Sequence, residues 1–238
     1  MILNDVLREN RDFAQSLTSR EIALWCDYFS DAEFVRQRKD LRPELMALFK
    51  KFPVFVGTVY RGAQDGGISE FFRMDEARSF REQMGSLIGQ TFVVPDILSS
   101  AQEEYAAVFH GYKRAIGRAH DHYYEEDWEP KTHSFLLQFN NAVGADVDEA
   151  FNRIKNSPRS RTDAWFLMDM WHTYREDDGK EVILFPGQRY KVMSFSVDDE
   201  EIEHGTRRIP TGNRFINKHR KEPVLWPHSR IRVVLERS

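Results

Sequence analysis

The 238-residue sequence has one cysteine, no run of about 18 apolar residues, and no glycine-rich phosphate-binding loop of either common type. A single cysteine excludes a disulfide within the chain, and Cys26 lies in an apolar helical stretch where we expect a small buried side chain. Without a long apolar run, or a basic flank before one, we expect a cytoplasmic protein with no membrane partner. The missing phosphate loops argue against a nucleoside-triphosphate enzyme.

The composition is that of an ordinary soluble protein, with 41% hydrophobic residues, 30% charged residues and a formal net charge of −4. Apolar spacing predicts helices over 1–52, where Thr18 and Glu21 form a capping-box pattern, and mainly strands from Val54 onward. The polar segment 198–223 is predicted to be a loop. We therefore expect one α+β domain over 1–238, with an N-terminal helical layer at 1–52 and a largely antiparallel, β-rich core at 53–238.

Three short segments carry the chemistry of the sequence. They are Val-Tyr-Arg-Gly at 59–62, Ile-Leu-Ser-Ser-Ala at 97–101, and a segment that starts at Glu181 and continues as an apolar strand with a Pro-Gly turn. Arg61 and Ser99 are 38 residues apart, and Ser99 and Glu181 are 82 apart. An arginine at the end of an apolar run, a later serine pair and a glutamate entering a strand, in this order, are consistent with a site that cleaves a dinucleotide.

Each of these residue types suits one part of that reaction. Breaking the bond between a base and the ribose of a dinucleotide develops positive charge on the ribose, which a carboxylate such as Glu181 stabilises. An arginine at a strand end, Arg61, is suited to clamping a pyrophosphate, and Gly62 allows close approach of the backbone. Taken singly, Arg61 and Glu181 also fit exposed strand charges, and Ser99 or Ser100 fits a cap for a helix starting near Gln102.

The three segments resemble the mono-ADP-ribosyltransferases of the Arg-Ser-Glu class, which include actin-modifying toxins and transferases of large bacteriophages. Members show an aromatic-Arg-Gly strand end, then Phe-x-Ser-Thr-Ser, then Glu-x-Glu before an apolar strand. The resemblance covers roughly residues 15–238. It implies two packed, mostly antiparallel β-sheets with an N-terminal helical layer, and NAD as the substrate, with no metal.

The resemblance also implies roles for individual residues. Glu181, Ser99 and Arg61 are the implied catalytic residues, with Ser99 orienting Glu181. Arg61, Gly62, Ser99 and Ser100 are implied to bind NAD. Phe109 is implied to stack on nicotinamide, although a place in the core fits it equally.

The sequence departs from the family two residues before Glu181. Glu or Gln usually stands there and helps to choose the acceptor, whereas this chain has Gly179. The carboxylates Glu176, Asp177 and Asp178 lie just upstream and are candidates to take the acceptor's proton, with a solvated acidic turn as the alternative. Tyr174 is the candidate anchor for the acceptor protein.

The expected function is transfer of ADP-ribose to a protein of a host or target cell, with arginine as the default acceptor. The basic stretch 207–237 leaves nucleic acid open as a partner, and a solvated basic loop is its alternative. Hydrolysis of NAD without transfer and a non-catalytic NAD-binding module also remain open. The pair His120 and His122 lacks a second cluster at metal-binding spacing, so a surface turn is the better interpretation.

Overall fold

The computed structural model describes residues 3–30, 38–63, 72, 78, 80–108, 133–157, 180–210 and 219–238. The helices are α1 (Leu3–Ser16), α2 (Ser19–Ser30), α3 (Arg42–Phe49), α4 (Phe80–Leu87) and α5 (Val147–Lys155). The strands are β1 (Val54–Ala63), β2 (Thr91–Val93), β3 (Leu98–Ala101), β4 (His133–Asp146), β5 (Glu181–Leu184), β6 (Arg189–Pro210) and β7 (His219–Arg237). Among these helices, none is long and apolar enough to cross a membrane. The predicted α+β class, with helices first and mainly strands afterwards, is confirmed.

The predicted capping box starts α2. The Glu21 amide donates to the Thr18 hydroxyl at 3.2 Å, and the Thr18 amide donates back to Glu21 Oε2 at 2.8 Å. These two bonds satisfy amides that the first helical turn leaves without partners. The Nζ of Lys51 donates to the same carboxylate, so the start of α2 is also tied to the segment that leads into β1.

The helical layer packs through its aromatic side chains. The rings of Trp25 and Phe52 lie 4.5 Å apart, and those of Tyr28 and Phe49 lie 5.2 Å apart. Cys26, predicted to be buried, is only partly so, and its Sγ donates to the Ile22 carbonyl at 3.0 Å. This first core extends from the helices onto the sheet and α5, where its members are Ile97, Ala145, Val147, Ala150, Phe151, Ile154 and Ile183.

The seven strands form one hydrogen-bonded sheet that forks at β4. The first half of β4, at 133–140, pairs with β7, whereas the end of β4, at 144–146, pairs with β5. β1 runs antiparallel along the other side of β4 over both halves. β3 and β5 therefore form one arm, and β7, β6 and β2 form the other; only the β4–β7 pairing is parallel among the described strands.

A bulge in β4 accompanies the fork. Between the pairs Gly57–Ala142 and Val59–Phe139, β4 has one more residue than β1. The extra length is taken up at Asn141, whose φ is +53°, a conformation that asparagine tolerates better than most residues. Because of this bulge, both Phe139 and Ala142 face the same core.

That second core lies between the two arms. Its members include Val59, Leu98, Phe139, Ala142, Val182, Leu184, Tyr190, Val192 and Val233. The two packed sheets expected from the resemblance are thus two packed arms of one continuous sheet.

Residues 198–210 and 219–223, predicted to belong to a loop, form strands instead, so the loop prediction is wrong for the described part of 198–223. β6 continues to Pro210, β7 begins at His219, and the two backbones pair from Tyr190–Arg237 out to Pro210–His219. Backbone hydrogen bonds between β6 and β7 hold this ribbon together and do not require apolar side chains. Its sequence therefore need not show the apolar alternation by which a half-buried strand is predicted. The helix predicted to start near Gln102 is present as a helical stretch at 104–108, and residues 109–132 lie outside the described residues. Of the helical layer predicted over 1–52, residues 31–37 lie outside them as well.

Candidate active site

Glu181 is the first residue of β5, and the residue before it adopts an unusual conformation. Lys180 has φ of +48°, the left-handed region, which costs a non-glycine residue roughly 1–2 kcal/mol. Its carbonyl accepts from the Gln102 amide at 3.0 Å, and its Nζ contacts Glu103 Oε1 at 3.0 Å. Contacts to the segment after β3 therefore hold the turn that delivers Glu181.

The pairing of β3 with β5 brings Ser99 to Glu181. Ser99 is opposite Ile183 and Ala101 is opposite Glu181, so the Ser99 and Glu181 side chains share one face of the arm. The Ser99 hydroxyl donates to Glu181 Oε1 at 2.5 Å. This length is typical of an O–H donor to an ionised carboxylate.

Tyr28 reaches the same oxygen from the helical layer. Its hydroxyl donates to Glu181 Oε1 at 3.3 Å, and its ring is 1% exposed. Two donors on one oxygen restrain the rotation of the carboxylate. From the sequence, Tyr28 falls in the helical layer predicted over 1–52, and nothing links it to Glu181; the one available signal is that a buried tyrosine hydroxyl usually has a hydrogen-bond partner.

Arg61 approaches Ser99 from the opposite face of the sheet. Arg61 is two residues from Val59 and from Ala63 along β1, so its side chain lies on the same face of the strand as these two, which belong to the core between the arms. Its Nη1 donates to the Ser99 carbonyl at 2.5 Å. Ser99 thus links the other two predicted catalytic residues: its carbonyl accepts a hydrogen bond from Arg61, and its hydroxyl donates one to Glu181.

Ser100 points away from Glu181. It is opposite Val182, which belongs to the core between the arms, so its side chain lies on the Arg61 side of the sheet. Ser100 is 5% exposed, and its hydroxyl has no hydrogen-bond partner within the described part of the chain. Both serines are in β3 and the helical stretch starts only at Glu104, so the interpretation of either as a helix cap is wrong.

Gly62 is a buried residue within β1, next to Arg61, and is opposite Leu136 of β4. β1 continues through it to Ala63, so the strand does not end at this glycine as the sequence suggested.

Several predicted site residues lie outside the residues that the structure describes. They are Phe109, Tyr174, Glu176, Asp177, Asp178 and Gly179. The pair His120 and His122 lies outside them as well. Of the predicted basic stretch 207–237, Arg232 forms an ion pair within the chain, with Glu104.

Two half-buried carboxylates flank the turn that leads into Glu181. Burial raises the pKa of Asp146, whose Oδ2 accepts from Gln102 Nε2 at 3.3 Å. Burial and the neighbouring Asp146 charge raise the pKa of Asp148, and Lys180 partly offsets this. Together with Glu103 and Glu181, these groups make the surroundings of the turn acidic.

The comparisons with known proteins come from solved structures. No protein-family model matches the sequence, and no curated protein matches it. The ADP-ribosyltransferase Vis of Vibrio splendidus, solved in complex with agmatine, is similar at 10% identity and a TM-score of 0.43, over 100% of this chain and 86% of that one.

Two further structures are similar over most of the chain. C3larvin toxin, an ADP-ribosyltransferase from Paenibacillus larvae, has 12% identity and a TM-score of 0.42, over 95% of this chain and 98% of that one. The type III effector XopAI from Xanthomonas axonopodis pv. citri has 10% identity and a TM-score of 0.45, over 97% and 72%. At these identities and TM-scores, the assignment of a function depends on the arrangement of Arg61, Ser99 and Glu181 itself.

Proposed function

We propose that this chain is an NAD-dependent mono-ADP-ribosyltransferase that moves ADP-ribose from NAD to a protein side chain and releases nicotinamide. The observation that carries the proposal is the connection through Ser99. Its hydroxyl donates a hydrogen bond to Glu181, and its carbonyl accepts one from Arg61. The three residues come from β1, β3 and β5, so this arrangement exists only in the folded sheet.

Glu181 is the group that acts on the ribose. As the bond between the ribose C1′ and the nicotinamide nitrogen breaks, its electron pair leaves with nicotinamide and positive charge develops on the ribose. A carboxylate fixed beside the sugar stabilises that charge and accepts a hydrogen bond from a ribose hydroxyl. We assign this effect about 3–5 kcal/mol of the barrier, or roughly 10²–10⁴ in rate.

Arg61 is the group that holds the pyrophosphate. A guanidinium offers a planar fork of donors that matches two phosphate oxygens. Its bond to the Ser99 carbonyl fixes the guanidinium before NAD arrives. Gly62, next to Arg61 on β1, Ser100 on the neighbouring β3, and Phe109 further along the chain complete the proposed NAD site.

Arginine is the proposed acceptor. The new bond forms between C1′ and a guanidinium nitrogen, which loses one proton. The acidic surroundings of Lys180, made by Glu103, Asp146 and Asp148, favour the approach of a cationic side chain. One of Glu176, Asp177 and Asp178 takes the proton in place of the side chain that Gly179 lacks. Arginine modification that survives alanine at all three positions would rule out this last assignment.

The acceptor is proposed to be a protein of a host or target cell, reached in the cytoplasm and recognised through Tyr174, which precedes Gly179 by five residues in the sequence. The chain 1–238 is proposed to act as one catalytic domain.

The proposal is tested by incubating a cell lysate with NAD labelled in its adenylate part, using wild type and Glu181→Gln. We expect wild type to label a discrete protein band, and the variant to label none. Mass spectrometry of the labelled peptides then identifies the modified side chain, which we expect to be arginine. Label that disappears after nuclease treatment would move the acceptor to nucleic acid, and nicotinamide release without any labelled macromolecule would make the chain an NAD glycohydrolase.

A further inference from the structure

The arm that carries Ser99 and Glu181 is attached to the rest of the sheet by few hydrogen-bonded pairs. β3 and β5 have four residues each. β3 meets β1 at one residue pair, Tyr60–Ala101, and β5 meets β4 at three pairs between 144–146 and 182–184. The position of this arm relative to Arg61 on β1 therefore needs further support.

Glu104 supplies a contact from this arm to the other one. It lies three residues beyond the end of β3, and both of its carboxylate oxygens accept from the guanidinium of Arg232 on β7. Arg232 Nη1 lies 3.0 Å from Glu104 Oε2 and also donates to Gln138 Oε1 of β4 at 3.1 Å. One guanidinium thus joins the segment after β3 to the two central strands.

The register of β1, β4 and β7 shows how far across the sheet the contact between Glu104 and Arg232 reaches. Gly62 of β1, Leu136 of β4 and Arg232 of β7 stand side by side in one row across the sheet. To reach Arg232, the segment after β3 crosses from one side of β1 to the far side of β4. The Glu104 and Arg232 side chains are 38% and 27% exposed, so the pair is partly shielded from water and its two-pronged geometry is defined.

We propose that Glu104 and Arg232 are a positioning pair, which fixes the arm carrying Ser99 and Glu181 relative to Arg61. The catalytic part of this inference rests on the proposed function. In that reaction Arg61 holds the pyrophosphate while Glu181 acts on the ribose, so the relative placement of β1 and β5 sets the reaction geometry. A displacement of about 1 Å in such a geometry can cost about 10²-fold in rate.

The first test is hydrogen exchange, which requires no activity. Glu104→Gln removes the charge and one acceptor and keeps the size of the side chain. The matched control is Glu44→Gln, because Glu44 is bound in the same two-pronged way by Arg20, at 2.8 Å for both contacts, within the helical layer. We expect amide protection over 98–101 and 181–184 to fall at least fivefold in Glu104→Gln, and to stay unchanged in Glu44→Gln and in the helical layer of both variants.

The second test is NAD turnover. We expect kcat for nicotinamide release to fall roughly tenfold in Glu104→Gln with KM within about twofold, and the exchanged pair Glu104→Arg with Arg232→Glu to recover part of the loss. If Glu104→Gln does not fold, Arg232→Lys, which keeps the charge without the fork, is expected to show the same local loss of protection.

Unchanged protection in the β3–β5 arm, or an equal loss at every amide of the chain, would overturn the inference. The two proposals fail separately: a wild-type protein without NAD turnover refutes the proposed function, while the exchange data still decide whether the pair fixes the arm.

Discussion

Replacing Ser99 by alanine removes a 2.5 Å hydrogen bond to Glu181 and leaves in place the backbone carbonyl that receives Arg61. Ser99 and Ser100 sit side by side in β3 but face opposite sides of the sheet, so the two hydroxyls can be removed one at a time. Ser99→Ala therefore removes a hydrogen bond that orients the Glu181 carboxylate and keeps the hydrogen bond between Arg61 and the backbone of residue 99.

The size of the effect follows from the geometry. A hydrogen bond to a charged group contributes about 1.5–3 kcal/mol, and the short Ser99 contact belongs to the upper half of that range. If the bond orients Glu181 in the transition state, we expect kcat for nicotinamide release to fall about 45–160-fold. KM for NAD should change less than about threefold, because Arg61 keeps its contact with the Ser99 carbonyl.

Steady-state nicotinamide release over a range of NAD concentrations measures both constants. Ser86→Ala is the control for loss of a serine hydroxyl, since the Ser86 hydroxyl donates to the Gln83 carbonyl within α4, and it is expected to leave both constants unchanged. Ser100→Ala, on the Arg61 side, is expected to raise KM about fivefold with little change in kcat. A kcat for Ser99→Ala within threefold of wild type would refute the assigned role of this bond.

Three further predictions follow from neighbouring groups. Tyr28→Phe keeps the buried ring and removes a 3.3 Å contact to Glu181, so we expect a loss of about fivefold in kcat, smaller than for Ser99→Ala, in the same assay. Arg61→Lys loses the planar fork, so KM for NAD should rise about tenfold, as measured by the same release kinetics; an unchanged KM would argue against a pyrophosphate contact. Burial raises the pKa of Asp146 above its usual 3.8, so the native state binds this proton more tightly than the unfolded chain, and the group's contribution to stability falls as pH rises through the native pKa. Asp146→Asn, which keeps a side chain able to cap α5, should therefore gain stability relative to wild type between pH 4 and pH 7 in urea unfolding; a difference that shrinks with pH would contradict the sign.

The parts of the fold that follow from local patterns were predictable from the sequence. The capping box needs only Thr18 and Glu21, which lie within four residues of each other. The strand that starts at Glu181 is indicated by its run of apolar residues, which fill the core. The contact between Ser99 and Glu181 was predicted from the resemblance alone, because neither segment contains a signal for the register in which β3 pairs with β5.

Other features depend on contacts between distant parts of the chain. Tyr28 and Glu181 are 153 residues apart, and Glu104 and Arg232 are 128 apart, so neither pair leaves a periodic signal. The ribbon of β6 and β7 was missed for a different reason: its outer half is paired through backbone groups and its sequence is polar. Such strands lack the alternation on which prediction from sequence relies.

The most direct measurement of the central claim compares NAD binding with nicotinamide release in purified wild type and Glu181→Gln. Calorimetry gives the affinity for NAD, and a single-turnover assay gives the rate of release at saturating protein. The account predicts that both proteins bind NAD with affinities within about threefold, and that release by the variant is slower by roughly 10²–10⁴. Release by Glu181→Gln at the wild-type rate, or NAD binding by wild type without any release, would contradict the account.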